Sequence, residues 1–179
     1  MLVFFMGFIA ANTYSQEKSN RELKKELKEK QKLEAQKITL DLFDSKSFVF
    51  KATSALPTGT RLIDLNSSNY EVIFLPEIIE SHLPFFGRAY STATVMRNDG
   101  GINFKEKPEK YTFEKTNKNF QIKANVKDKN DYYNMYLTIG LEGNASLNIS
   151  SNNRGSISYN GKIEAVKELK ARVEALESK

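Results

Sequence analysis

From Tyr111 to Ile163 the chain alternates apolar and polar residues with a period of two, and this pattern constrains the fold more than any other feature. Apolar positions recur at Tyr111 and Phe113; at Phe120, Ile122, Ala124 and Val126; at Tyr133, Met135, Leu137 and Ile139; at Ala145, Leu147 and Ile149; and at Ile157, Tyr159 and Ile163. A strand points successive side chains to opposite faces, so each run reads as a strand with one apolar and one polar side. Between the runs stand Asn117-Lys118-Asn119, Asp128-Lys129-Asn130-Asp131, Leu141-Glu142-Gly143 and Asn152-Asn153-Arg154, each short enough for a hairpin. Earlier strand candidates are Phe48–Ala52, Arg61–Leu65 and Tyr70–Leu75. They are separated by the turn-like Leu56-Pro57-Thr58-Gly59 and Asn66-Ser67-Ser68-Asn69. The expected class is α+β and mainly β: an antiparallel meander forming a sandwich or partly open barrel, with a polar N-terminal helix and a short C-terminal helix.

A hairpin puts the apolar residues of both its strands on one face, and this proposes a register. With Gly143 supplying positive φ in a three-residue loop, Ile139 falls opposite Ala145, Leu137 opposite Leu147 and Met135 opposite Ile149. The next turn sets Ile149 opposite Ile157 and Leu147 opposite Tyr159. The same register lines up Tyr136, Asn148 and Ser158 on the outer face, beside Thr138, Ser146 and Asn160. Tyr132, Asn134, Ser150 and Ser156 extend it. No Lys or Glu interrupts this face before Lys162. Hydroxyls, amides and tyrosines without charge suit a sugar or an extended polar chain; the alternative is an ordinary Thr/Ser/Asn-rich surface or one half-covered by the N-terminal helix.

The ends differ from the middle. Leu2–Ala11 is an apolar run of ten residues, the length of a signal-peptide core and about half a membrane span. Thr13 and Ser15 are small residues before a cut at Gln16. Residues 1–15 are thus expected to be a signal peptide, and the mature protein to be exported, periplasmic or associated with the cell envelope. Without a cysteine near the cut, a lipid-anchored lipoprotein is not expected. Residues 16–42 form a charged helix or spacer, free of Gly and Pro, with Glu22, Glu29 and Glu34 each followed three residues on by a lysine, and Glu26 paired with Lys30. Residues 43–163 form the β-domain. In residues 164–179, Val166, Leu169, Val173 and Leu176 recur at 3-4-3 spacing, an amphipathic helix that packs on the domain, pairs with the N-terminal helix or joins two copies into a homodimer. The net charge of +5 divides as +3 in residues 17–37, +1 in 38–161 and +1 in 162–179. A near-neutral domain lacking Lys/Arg clusters with interleaved aromatics excludes a nucleic-acid footprint.

Little in the sequence carries chemistry. It has no Cys and one His, His82, so thiolate nucleophiles are excluded and zinc ligands are scarce. No Gly-x-Ser-x-Gly turn, phosphate loop or dinucleotide glycine pattern is present, and no cofactor is expected. A small hydrolase would need a carboxylate pair assembled in space, which no spacing suggests. Phe85, Phe86, Arg88 and Tyr90 concentrate three aromatics around one arginine. They read either as a plug in one end of the core or as a pocket with Arg88 anchoring an anion. Ser151-Asn152-Asn153-Arg154-Gly155 reads as a tight turn. The candidate ligand-binding residues are therefore Phe85, Phe86, Arg88, Tyr90, Tyr136, Asn148 and Arg154, with no catalytic or metal site.

Four segments carry a family likeness: Ser47-Phe48-Val49-Phe50-Lys51-Ala52, Leu83 to Tyr90, Asp99-Gly100-Gly101-Ile102-Asn103-Phe104, and Ser151-Asn152-Asn153-Arg154-Gly155-Ser156-Ile157-Ser158. Together they resemble the domain-of-unknown-function 4251 family (DUF4251), exported proteins mostly of Bacteroidetes. The resemblance spans about residues 40–163, with Phe-Phe-Gly-Arg-Ala-Tyr its most specific part, and leaves out the chain from Glu164. It implies export and domain extent, and adds no chemistry. The functional expectation is a non-enzymatic envelope domain binding a polar ligand, sugar or peptide-like. The alternatives are a self-association module acting through its terminal helices and, third, a small hydrolase.

Overall fold

The computed structural model describes residues 10–88, 100–129 and 131–166, with side chains from residue 20 onward. The helix α1 spans Ala10–Ser45, 36 residues or about 54 Å. Good helix formers sustain it in solvent, where Leu23, Leu27 and Leu33 are exposed, and only the last turns dock. Among the described residues the expected lysine–glutamate pairs along the helix are not formed; Lys32 instead reaches Glu142 at 3.4 Å. It ends where Ser45 donates its hydroxyl to the Leu42 carbonyl at 2.8 Å and Lys46 turns left-handed with φ 52°. Phe43 is the docking residue. Its ring stacks on Phe120 at 4.6 Å and meets Phe113 edge-on at 5.7 Å.

The strands are β1 (Phe48–Pro57), β2 (Ile63–Asp64), β3 (Glu71–Phe74), β4 (Ile79–Pro84), β5 (Gly101–Glu106), β6 (Lys110–Lys115), β7 (Asn119–Asp128), β8 (Asp131–Gly140), β9 (Asn144–Ser151) and β10 (Ile157–Ala165). All pairings are antiparallel, in the order β5-β4-β3-β1-β10-β9-β8-β7-β6, with β2 beside β1. The sheet curls into a half-barrel whose concave side holds the core. Phe48, Phe50, Phe74, Leu137, Leu147 and Tyr159 lie fully buried there.

The second half is the meander that the alternation predicts. Ile139 pairs with Ala145, Leu137 with Leu147, Met135 with Ile149, and Ile149 and Leu147 pair in turn with Ile157 and Tyr159. Gly143 adopts φ 86° in the loop, a conformation that strains any residue with a Cβ, directly under Thr39 of α1.

The first half departs from expectation. The strand expected at Phe48–Ala52 runs on to Pro57 and lies in the middle of the sheet, between β3 and β10. Arg61–Leu65 contributes only two paired residues, and β4 and β5 were not foreseen. Alternation breaks in β4 because Ser81, on the inward side, is buried and donates its hydroxyl to the Ile102 carbonyl at 2.8 Å. The C-terminal helix expected from Glu164 is corrected at its start. Glu164 and Ala165 are the last residues of β10, paired with Val49 and Phe48; the remainder of that expectation, from residue 167, lies outside the described residues.

A bulge at Thr53 faces Gly161. A Cβ at residue 161 would overlap the Lys51 carbonyl, so the paired strands β1 and β10 approach here at a separation that only glycine permits. A bulge of this kind bends its strand and increases the local twist.

Candidate ligand-binding face

The two ends of the half-barrel are closed differently. Phe43 fills the end beneath α1. At the other end Phe85 packs on the core, and the guanidinium of Arg154 lies over its ring at 5.3 Å. Arg154 is buried; its Nη1 donates to the Gly101 carbonyl at 2.6 Å, and its Nε stands 3.8 Å from Asp131 Oδ2 without a hydrogen bond. Asp131, equally buried, accepts from the Ser151 hydroxyl at 2.7 Å and the Tyr132 amide at 2.8 Å. Tyr159 donates its hydroxyl to the Pro84 carbonyl at 2.6 Å. Burial holds both neighbouring phenols in their neutral form: Tyr133 is pushed up to about 12, the Arg154 charge pulling the other way, and Tyr159 is raised further.

This cluster ties the starts of β5 and β8 to the β9–β10 turn, and it engages the sequence candidates unevenly. Arg154 and Phe85 meet. Phe86 is 43% exposed. Arg88 is exposed too, and enters the arrangement through its carbonyl, which accepts the Gly155 amide at 2.9 Å. Arg154 thus occupies the place beside an aromatic ring that the sequence suggested for Arg88. Tyr90 lies outside the described residues. Asp131 was missed, because its charge sits in a polar turn where nothing in the sequence distinguishes it from a solvated aspartate.

Tyr136 and Asn148 come together on the opposite, convex side. Strand pairing sets Lys123, Tyr136, Asn148 and Ser158 in one row across β7 to β10, and Gln121, Thr138, Ser146 and Asn160 in the next. Asn148 Nδ2 donates to the Ser158 hydroxyl at 2.9 Å, and Asn125 donates to Asn134 farther along. Tyr136 is 37% exposed, with the Lys123 ammonium 5.9 Å from its ring centre. Lys123 itself bonds Glu114 at 3.0 Å, which raises its pKa and marks the charged border of the face. The docked end of α1 contacts the neighbourhood of Gly143 and Glu142, so the helix leaves this face open. At the other border a shallow cleft of about 190 Å³ is lined by Lys51, Tyr70, Glu71, Lys162 and Glu164, whose charges balance; Lys51 and Glu164 pair at 3.1 Å.

His82 sits on the outside of β4, its Nδ1 3.0 Å from Asn103 Oδ1 and its ring 5.8 Å from that of Tyr70. Among the described residues no three His, Cys, Asp or Glu side chains are grouped to hold a metal ion. No helix there is long and apolar enough to cross a membrane.

No curated protein matches the sequence. Among solved structures, the crystal structure of a DUF4251 family protein from Bacteroides eggerthii superposes with a TM-score of 0.57 at 14% identity, covering 75% of this chain and 89% of that one. At that identity the likeness establishes the fold, a mainly antiparallel half-barrel with one N-terminal helix. The model of the family described as domain of unknown function DUF4251 matches residues 15–163, reaching upstream into α1, and the chain belongs to that family.

Proposed function

We propose that this is an exported protein of the cell envelope whose β-domain binds a polar ligand on the convex face of β8 to β10, without catalysing a reaction on it. One observation carries the reading: two adjacent rows of hydroxyls and amides cross three interior strands with no charged side chain, around a half-exposed tyrosine. Polar groups at fixed spacing give orientation and hydrogen bonds, while Tyr136 gives a stacking surface. The side chains of these rows are amides and hydroxyls, better suited to holding a ligand than to moving its protons at neutral pH. Export rests on the apolar run Leu2–Ala11 and the charged stretch that follows it.

Calorimetric titration with neutral oligosaccharides and short polar peptides tests the face. Tyr136→Ala and Asn148→Ala are expected to keep the melting temperature and abolish binding; variants that bind like the parent reject the face. Fractionation of cells producing the full chain with a C-terminal tag tests export, and recovery from the cytoplasm alone rejects it. The exposed Leu23, Leu27 and Leu33 favour a second reading, self-association through α1. A monomer in sedimentation at all concentrations ends that idea.

A further inference from the structure

The row through Tyr136 extends beyond the meander. Strand pairing sets Leu56 of β1 opposite Ser158, and the β1–β2 register, continued by one residue, brings Leu62 beside Leu56. Both are unusually open for leucines, at 43% and 57% exposure, and their neighbour along the row is the hydrogen-bonded Asn148–Ser158 pair. Two apolar patches thus flank a polar centre, Leu62 with Leu56 at one end and Tyr136 at the other. Three strand spacings separate Leu56 from Tyr136, about 14 Å. We infer that the ligand of the convex face is a neutral oligosaccharide lying across the strands along this row, its end rings seated on Tyr136 and on Leu56 and its hydroxyls bonded to Asn148 and Ser158. The inference rests on the reading of the face given above and specifies its ligand class.

Three features select this class. A sugar ring presents C–H groups on its faces and hydroxyls round its rim, so a chain of rings needs apolar seats alternating with amides and hydroxyls, as this row supplies. None of the side chains from Leu62 to Tyr136 along the row is charged, and the parallel row through Ser54, Asn160, Ser146 and Thr138 meets a charge only at its β2 end, where Asp64 stands opposite Ser54. The cation next to the row, Lys123 beside Tyr136, is already paired with Glu114 at 3.0 Å, and Asp64 at the other end would repel an acidic polymer. A peptide in extended form binds chiefly through backbone hydrogen bonds at a sheet edge, whereas β10, β9 and β8 are interior strands whose backbone groups face each other.

The test titrates the full chain with neutral gluco-, manno- and galacto-oligosaccharides of two to six units, with oligogalacturonates of equal length and with polar peptides. Expected is binding of at least one neutral series, tightening with length until the chain spans the row and constant thereafter. Tyr136→Ala and Leu56→Ser should each weaken it at least tenfold, with unchanged melting temperature. Loss in Tyr136→Ala but parent-like affinity in Leu56→Ser keeps the face and overturns the row. Tighter binding of the oligogalacturonate, or binding of peptides alone, overturns the ligand class while the face stands. Binding of none of these probes overturns both.

Discussion

Replacing Arg154 with alanine removes three contacts from a site closed to water, and their sizes can be set out from the geometry. The Nη1 bond to the Gly101 carbonyl, at 2.6 Å, is a charge-assisted hydrogen bond of about 1.5–3 kcal/mol. Contact with the Phe85 ring at 5.3 Å adds roughly 0.5–2 kcal/mol. The third loss is the counter-charge of Asp131. That carboxylate stays buried but keeps the Ser151 hydroxyl and the Tyr132 amide, which limits the damage. The total falls near the lower end of the roughly 3–5 kcal/mol seen when one partner of a buried pair is removed. For a domain of this size that corresponds to a fall in melting temperature of about 6–12 °C. Asp131→Ala should cost a similar amount, since it leaves the guanidinium with one carbonyl, and the double variant should cost less than the two together. Urea unfolding of the four proteins gives the coupling. A cost for Arg154→Ala below about 1 kcal/mol, or single costs that add to within about 0.5 kcal/mol, would refute the view that these side chains act as one buried unit.

Three further predictions concern the buried tyrosines and Gly161. Among the described residues the buried Tyr111 hydroxyl has no hydrogen-bond partner, whereas Tyr159 donates to Pro84, so Tyr111→Phe should leave stability equal or higher and Tyr159→Phe should lower it by about 1 kcal/mol in urea. Both phenols and Tyr133 titrate above the ordinary 10.0 in the folded chain, so the unfolded chain loses these protons first; stability is whole below pH 10, falls as pH rises toward about 12, and falls less steeply in Tyr133→Phe, as alkaline unfolding curves will show. Gly161→Ala should cost about 1–3 kcal/mol or more, since the obstacle is the Lys51 backbone and cannot rotate away, and a thermal melt matching the parent would contradict the close approach of β1 and β10.

What could be read in advance follows from where each constraint lies along the chain. Strands β7 to β10 are joined by short turns and bury one face completely, so a slip of one residue would turn Leu137, Leu147 and Tyr159 into solvent; register was therefore written locally. The position of β1 was not, because its pairing of Phe48 with Ala165 joins residues far apart in the chain and passes through a bulge at Thr53 that no alternation announces. The same bulge decides the candidate face. Past Thr53 the parity of β1 changes, so that Leu56 points outward beside Ser158 while Ala55 and Pro57 turn inward. Without it, the apolar seat at that end of the row would belong to the core. The Tyr136–Asn148–Ser158 part of the face was thus legible as three residues in register, and its continuation through Leu56 became visible only once the chain had closed its most distant pairing. Arg154 illustrates the same limit from the other side. Its neighbours Asn152, Asn153 and Gly155 make a turn for local reasons, but burial comes from Phe85, Gly101 and Asp131, all brought to it by the curl of the sheet. An arginine in a polar turn becomes an internal strut only when the two halves of the half-barrel meet above it.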